Sequence, residues 1–277
     1  MKKAIYRAEN RYEEFLSAAK KISKKISEID GVVGILATGG LGRGYCDDYS
    51  DLDLIVYADE KKCRKIGKYI AVEVRYKEIG TDTPVESYQR ALRHKSPSKY
   101  WDQLMRWDRE NSQILHDTDN RIKNMLKEKL VFPDREQKKL MEHHRQAADI
   151  HLMYDTDMWE KRGDMVNVSH ALVLGTKHLI LWIYAKNKKF QPYLPKWLFY
   201  HLENGSVPES KHFNTIKKPF IESIKTKTNA RRIRNELIGL CNKIGLEFKF
   251  EDFEECFAHY EKNWEKASDK TKYYLSW

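Results

Sequence analysis

Between residues 32 and 57 the chain runs apolar, then glycine-rich, then alternates carboxylate with apolar, and this pattern restricts the fold more than any other stretch. Val32 to Ala37 is a short apolar run consistent with a buried strand. It feeds directly into Thr38-Gly-Gly-Leu-Gly-Arg-Gly44. After Gly39-Gly40 and ten intervening residues come Asp51-Leu52-Asp53, and Leu52 to Tyr57 reads as a second strand. Side chains alternate along a strand, so Asp51 and Asp53 share one face while Leu52 and Leu54 turn to the core.

Two carboxylates on one face repel each other unless a cation lies between them. Hard oxygen ligands one strand-step apart suit Mg²⁺, which completes its shell with water and phosphate oxygens. The glycines upstream let backbone N–H groups approach a polyphosphate without an intervening Cβ, more so if a helix opens at Leu41. Two-metal phosphoryl chemistry calls for a third carboxylate and a route for the proton of the attacking hydroxyl. Residues 70–79 are predicted as a third strand, with Val72, Val74 and Tyr76 alternating against Ala71, Glu73, Arg75 and Lys77. Glu73 then falls opposite the apolar set and is the expected third carboxylate; Glu78 is the fallback.

Around this centre, apolar residues at helical spacing (Phe15, Ala18, Ile22, Ile26) predict an opening helix over 7–28. Helices are expected at 84–94 and 98–107, then a strand at Gln113 to His116. Past Pro133 the pattern is helical almost throughout: 134–160, 164–187, 195–204, 212–226, 229–244 and 251–266. The expected class is α+β: a small mixed β-sheet domain with flanking helices over 1–132, then an all-helical domain over 133–277.

With 41% hydrophobic and 33% charged residues the chain can bury a core and is not of disordered composition. Fifty-one Lys and Arg against 41 Asp and Glu leave a net charge of +10, which attracts polyanions and makes nucleic acid a partner class to test. The cysteines Cys46, Cys63, Cys241 and Cys256 show no metal-ligand spacing. His143, His144 and His151 fall on one predicted helix, but without an HExxH motif no zinc site is expected. The opening MKKAIYRAEN lacks an apolar signal region, and Ala171 to Ala185 is short and interrupted by Lys177 and His178, so a cytoplasmic, membrane-free protein is expected.

The run GGLGRGYCDDYSDLDLIVY resembles the signature of the polymerase-β-type nucleotidyltransferase superfamily, and VEVRYKEI resembles the strand bearing the third carboxylate in antibiotic adenylyltransferases of that superfamily. The resemblance is strong over residues 30–80 and weak over the helical half. It implies a nucleotidyltransferase domain in which Asp51 and Asp53 hold Mg²⁺, two ions in all, and Glu73 is the third ligand and general base. Gly39 and Gly40 would hold the triphosphate of ATP by their backbone. Many members have Ser where Gly40 stands, so Arg43, then Ser50 or Thr38, is expected to supply the missing phosphate contact.

In the helical half, the segment from Trp159 through Asp164 to Asn167 resembles the acceptor-facing part of the same enzymes. Pro195-Lys196-Trp197 resembles their nucleotide-side lysine segment. The plainer readings are core packing for Trp159 and Trp197, a solvated face for Lys196, and a helix cap for Asp164. The resemblance implies transfer of a nucleoside monophosphate to a hydroxyl of a small-molecule acceptor held in a cleft between the domains. The acids Asp155, Asp157, Glu160 and Asp164 would suit a cationic sugar. Transfer to RNA or protein, and a non-catalytic nucleotide-binding regulator, are the rival readings.

Overall fold

In the computed structural model, residues 9–73, 81–192, 197–221, 227–248 and 255 are described. The chain divides into two compact units, residues 1–131 and 132–277.

In the first unit, α1 (Tyr12–Ser27) turns Phe15, Ala18, Ala19, Ile22 and Ile26 inward. After it come β1 (Val32–Ala37), buried along its whole length, a short α2 (Gly39–Arg43) and β2 (Leu52–Ala58). β1 is the centre of an antiparallel trio, with β2 on one side and β5 (Gln113–Asp117) on the other. β1 was legible because a short apolar run between turn signals is consistent with a buried strand, and β2 because its length and β-branched residues favour the same reading.

The next stretch differs from expectation. Residues 70–73 are not in a strand: they finish helix α3 (Cys63–Glu73), and 74–80 lie outside the described residues. Ile66 and Ile70, four apart, are both buried against the sheet, so a helical stripe began before the alternation that had suggested a strand. The strand neighbouring β2 instead comes from residues 81–87, in two pieces: β3 (Thr81–Asp82) and β4 (Val85–Ser87). Both pair parallel with β2 in one register, Asp53 opposite Asp82 and Tyr57 opposite Glu86. Pro84 lies at the break; it has no N–H to donate, although its carbonyl accepts from Val56. The helix expected over 84–94 therefore begins only at α4 (Tyr88–Arg93), capped by Ser87. Helices α5 (Gln103–Glu110) and α6 (Arg121–Lys129) complete the unit.

The sheet has two clothed faces. Leu52, Leu54, Val56 and Ala58 pack with α1 and with Ile66 and Ile70 of α3. Ile55 and Tyr57 pack on the other face with Tyr88, Trp101, Ile122 and Met125. Asp51 and Asp53 belong by alternation to this second face, at the end that the apolar cluster leaves open.

The second unit is helical in its described residues. The predicted helix over 134–160 is α7 (Asp134–Ala148), a π-helical stretch at Asp149–Asp155, and α8 (Thr156–Arg162). It continues with α9 (Met165–Lys186), α10 (Leu198–Glu203), α11 (Phe213–Ile216), α12 (Lys218–Ile221) and α13 (Lys227–Ile244). The helix expected over 251–266 lies outside the described residues apart from Glu255. At 22 residues α9 is, by length and composition, long enough to cross a membrane, contrary to the length argument made from sequence. Burial assigns it otherwise: Val168, Leu172, Leu179, Ile180 and Ile183 are fully covered and form the middle of the unit's core with Ile233 and Leu237 of α13.

Candidate active site

The site is built on the β1–α2–β2 unit. The Asp53 carbonyl accepts from Thr38 N–H at 3.0 Å, which ties the start of the glycine turn to the acidic strand. Gly39 takes φ +51°, a backbone state that side-chain-bearing residues avoid, and a Cβ built on it would lie 1.7 Å from Oδ2 of Asp53. Glycine is thus required at 39 by both backbone and neighbour, because the Asp53 carboxylate rests against that turn. At Gly40 a Cβ would meet the Cys46 sulfur at 2.7 Å. Cys46 is buried and occupies the space in which a serine at 40 would begin, so the departure from serine has a packing cause.

Asp53 is half-buried, and its carboxyl is pushed up to about 6, first by burial and then by Asp51. Asp108 and Asp82 add to that push, and Arg43 opposes it. Burial likewise pushes the Asp108 carboxyl up, opposed by Arg109 and then by Arg43. Three further carboxylates and one guanidinium therefore act on Asp53. Excess negative charge held around a partly covered carboxylate is the setting in which a divalent cation binds. The donor set is all oxygen, so the residues present fit Mg²⁺.

Sequence reasoning missed Asp82 and Asp108. Asp82 could have been found had 81–87 been read as the parallel neighbour of β2, since its register carries Asp82 beside Asp53. Asp108 had no sequence signal; it is brought in by the docking of α5. That docking is explicit. Arg109 is fully buried and donates from Nη2 to both Glu86 oxygens at 2.8 and 2.9 Å, and from Nε to Tyr57 Oη at 2.8 Å. Tyr100 donates its hydroxyl to the same Glu86, and the Arg109 guanidinium stacks 5.1 Å from the Trp101 ring.

The remaining expected residues are placed as follows. Ser50 spends its hydroxyl on Asp47, donating to Oδ1 at 3.0 Å and accepting from its N–H at 2.9 Å, and so closes the turn before Asp51. Glu73 is the last residue of α3, a helix that packs on the opposite sheet face from Asp53; its side chain is outside the described residues. Lys196 lies outside the described residues altogether. Trp159 packs against the core of the helical unit with Arg162 over its ring at 4.8 Å. Asp164 caps α9, accepting from Val166 and Asn167 N–H at 3.1 Å each, bonds that hold its carboxyl below the usual range.

The acidic group expected to receive a cationic acceptor is engaged within the chain. Asp155 meets His151 at 2.8 Å, Asp157 meets Lys161 and Arg234 at 3.0 and 3.3 Å, and Glu160 meets Arg231 at 2.5 Å. These acids were adjacent in sequence, but each found a basic partner within two helical turns or on α13.

Residues 19–145 match the family model of the nucleotidyltransferase domain. The expected α+β class, a small mixed sheet followed by helices, is the one observed. Among solved structures the chain is similar to a nucleotidyltransferase-like protein from Exiguobacterium sibiricum 255-15, with 15% identity, 82% of this chain and 73% of that one covered, and a TM-score of 0.41. It is also similar to the spectinomycin adenyltransferase AAD(9) from Enterococcus faecialis, solved with ATP and spectinomycin: 13% identity, 83% and 99% covered, TM-score 0.33. No curated protein matches the chain in sequence.

Proposed function

We propose that this protein transfers a nucleoside monophosphate from a Mg²⁺-bound NTP, ATP first among those to test, to a hydroxyl group of a small-molecule acceptor. The observation that carries the reading is Asp53, half-buried among Asp51, Asp82 and Asp108 and seated against the φ-positive Gly39 of a nucleotidyltransferase domain. Asp51 and Asp53 would hold the metal, and Asp82 is the carboxylate that the strand register puts beside them. Bound there, Mg²⁺ would supply charge neutralisation at phosphate. The backbone of Gly39 and Gly40 would receive phosphate oxygens, and Arg43 would pair with them. Asp82, exposed and beside Asp53, takes the proton of the attacking hydroxyl in this reading, the role that the resemblance had given to Glu73.

A second acceptor class, RNA, is favoured by the net charge of +10 together with the intramolecular pairing of the acids in the helical unit.

The test is thermal stability with and without Mg²⁺-ATP, on the native protein and on Asp51→Asn/Asp53→Asn. A ligand at about 100 times its dissociation constant adds about 2.7 kcal/mol to the folded state. A magnesium-dependent rise present only in the native protein supports the site; no rise with any of the four NTPs sinks the reading. Pyrophosphate release by Asp82→Asn and Glu73→Gln then decides the third carboxylate: the larger fall in kcat is expected for Asp82→Asn.

A further inference from the structure

The helical unit contains a side-chain cluster for which the nucleotidyl-transfer reading has no use. His143 and His144 of α7 face His178 of α9, with ring centroids 4.9, 5.3 and 6.1 Å apart. His144 and His178 are buried, 8% and 3% exposed, and their Nδ1 atoms approach to 3.1 Å. His143 is half-buried at the rim. Each ring offers one nitrogen, and the three nitrogens all lie within 4.8 Å of one another. Among the described residues this is the one trio of His, Cys, Asp or Glu that converges so closely.

A plain alternative exists. One neutral imidazole could donate to the other across the 3.1 Å contact and the pair would be an ordinary buried hydrogen bond. That pairing uses two of the three rings. Metal coordination accounts for all three. An ion with imidazole nitrogens at about 2.0–2.1 Å holds them roughly 3.0–3.4 Å apart. The His144–His178 separation already meets that spacing, and a side-chain rotation of His143 at the rim would close the rest.

The surroundings favour the neutral ring, which is the form that ligates metal. Burial lowers both His143 and His144, and Lys139 and Lys177 push the same way. On the far side, His151 stacks on His178 at 5.7 Å and 25°. His151 is itself held by Asp155 at 2.8 Å, so the His178 ring is fixed from behind.

We propose that His143, His144 and His178 form a transition-metal site, with Zn²⁺ as the ion its chemistry selects, that clamps α7 to α9. Three imidazoles without a carboxylate suit Zn²⁺, Co²⁺, Ni²⁺ or Cu²⁺ and reject Mg²⁺ and Ca²⁺. The site is therefore chemically opposite to the all-oxygen set around Asp53, and it stands whether or not the nucleotide reading does.

The test uses the full chain, stripped with chelator and titrated with Co²⁺, whose visible absorption reports nitrogen coordination, then with Zn²⁺ as competitor. One Co²⁺ per chain is expected, displaced by Zn²⁺, and Zn²⁺ should raise Tm by roughly 5 °C. His143→Gln should weaken Co²⁺ binding at least ~10-fold, because loss of one of three ligands removes most of the chelation. Its circular dichroism and Tm in chelator should match the native protein, since His143 sits at the rim. His178→Asn should abolish binding, and His143→Gln keeps the test decisive if that buried change unfolds the chain. Asp51→Asn/Asp53→Asn should bind Co²⁺ as the native protein does. No absorption band and no Tm shift with Zn²⁺ would overturn the proposal. So would Co²⁺ binding that survives His143→Gln undiminished, or that disappears with the aspartates.

Discussion

In the proposed reading, Asp53 joins folding, metal binding and pH in one carboxyl group. Its ionised form is disfavoured in the fold, with the carboxyl pushed up to about 6. An acid raised in this way favours the folded state most below its unfolded value of about 3.9, and that contribution is lost as pH rises through about 6. A cation reverses the balance, because it binds only the ionised group. Divalent-metal affinity, followed by calorimetry, should therefore fall about tenfold per pH unit below about 6. In the metal-free protein, Asp53→Asn should raise Tm at pH 8 and change it little at pH 4. Gly40 gives a second prediction at this scale. Gly40→Ser drives a Cβ to 2.7 Å from the Cys46 sulfur and should cost about 1–3 kcal/mol in urea denaturation. Adding Cys46→Ala should recover most of that loss, a coupling that a double-mutant cycle reads directly.

Among the elements, the one that decides the site is the interrupted edge strand formed by β3 and β4. Its register brings Asp82 to Asp53 at one end and Glu86 to Tyr57 at the other. At the second end the carboxylate is consumed by Arg109, Tyr100 and the packing of α5, and so has a structural task. Breaking a buried, hydrogen-bonded ion pair by removing one member leaves the other charge uncompensated. Arg109→Met should accordingly cost about 3–5 kcal/mol. Arg109→Lys should not restore it, because an ammonium cannot reach Glu86 and Tyr57 from one rigid fork. Since Asp108 precedes Arg109 on the same helix, both variants should also weaken Mg²⁺ binding, measurable in the calorimetric titration used for Asp53.

The charge of the whole molecule separates the two acceptor classes. A net charge of +10 draws anions to the surface without specifying any of them. For a small-molecule acceptor, KM should change less than about 3-fold between about 50 and about 200 mM salt. An RNA acceptor contacted through several phosphates would lose orders of magnitude in affinity over the same range. Initial-rate measurements at the two salt concentrations would show which holds.

Local patterns were enough for β1, β2, β5 and the long helices, because burial of a short apolar run or an amphipathic stripe leaves few alternatives. The alternation that puts Asp51 and Asp53 on one face was legible for the same reason. Residues 70–73 were misread because four residues of alternation also satisfy the end of a helical stripe, and only packing of Ile66 and Ile70 on the sheet decides between them. Parallel pairing joins residues far apart in the chain, and no local signal states which register wins. Asp82 beside Asp53, Asp108 carried in by Arg109, and His178 brought against His143 and His144 were therefore decided by tertiary structure alone. The sequence by itself determined the chemistry of one strand, two carboxylates beside a glycine turn, because side-chain alternation is a property of the backbone. Which other groups join those carboxylates depended on how the sheet and helices close around them.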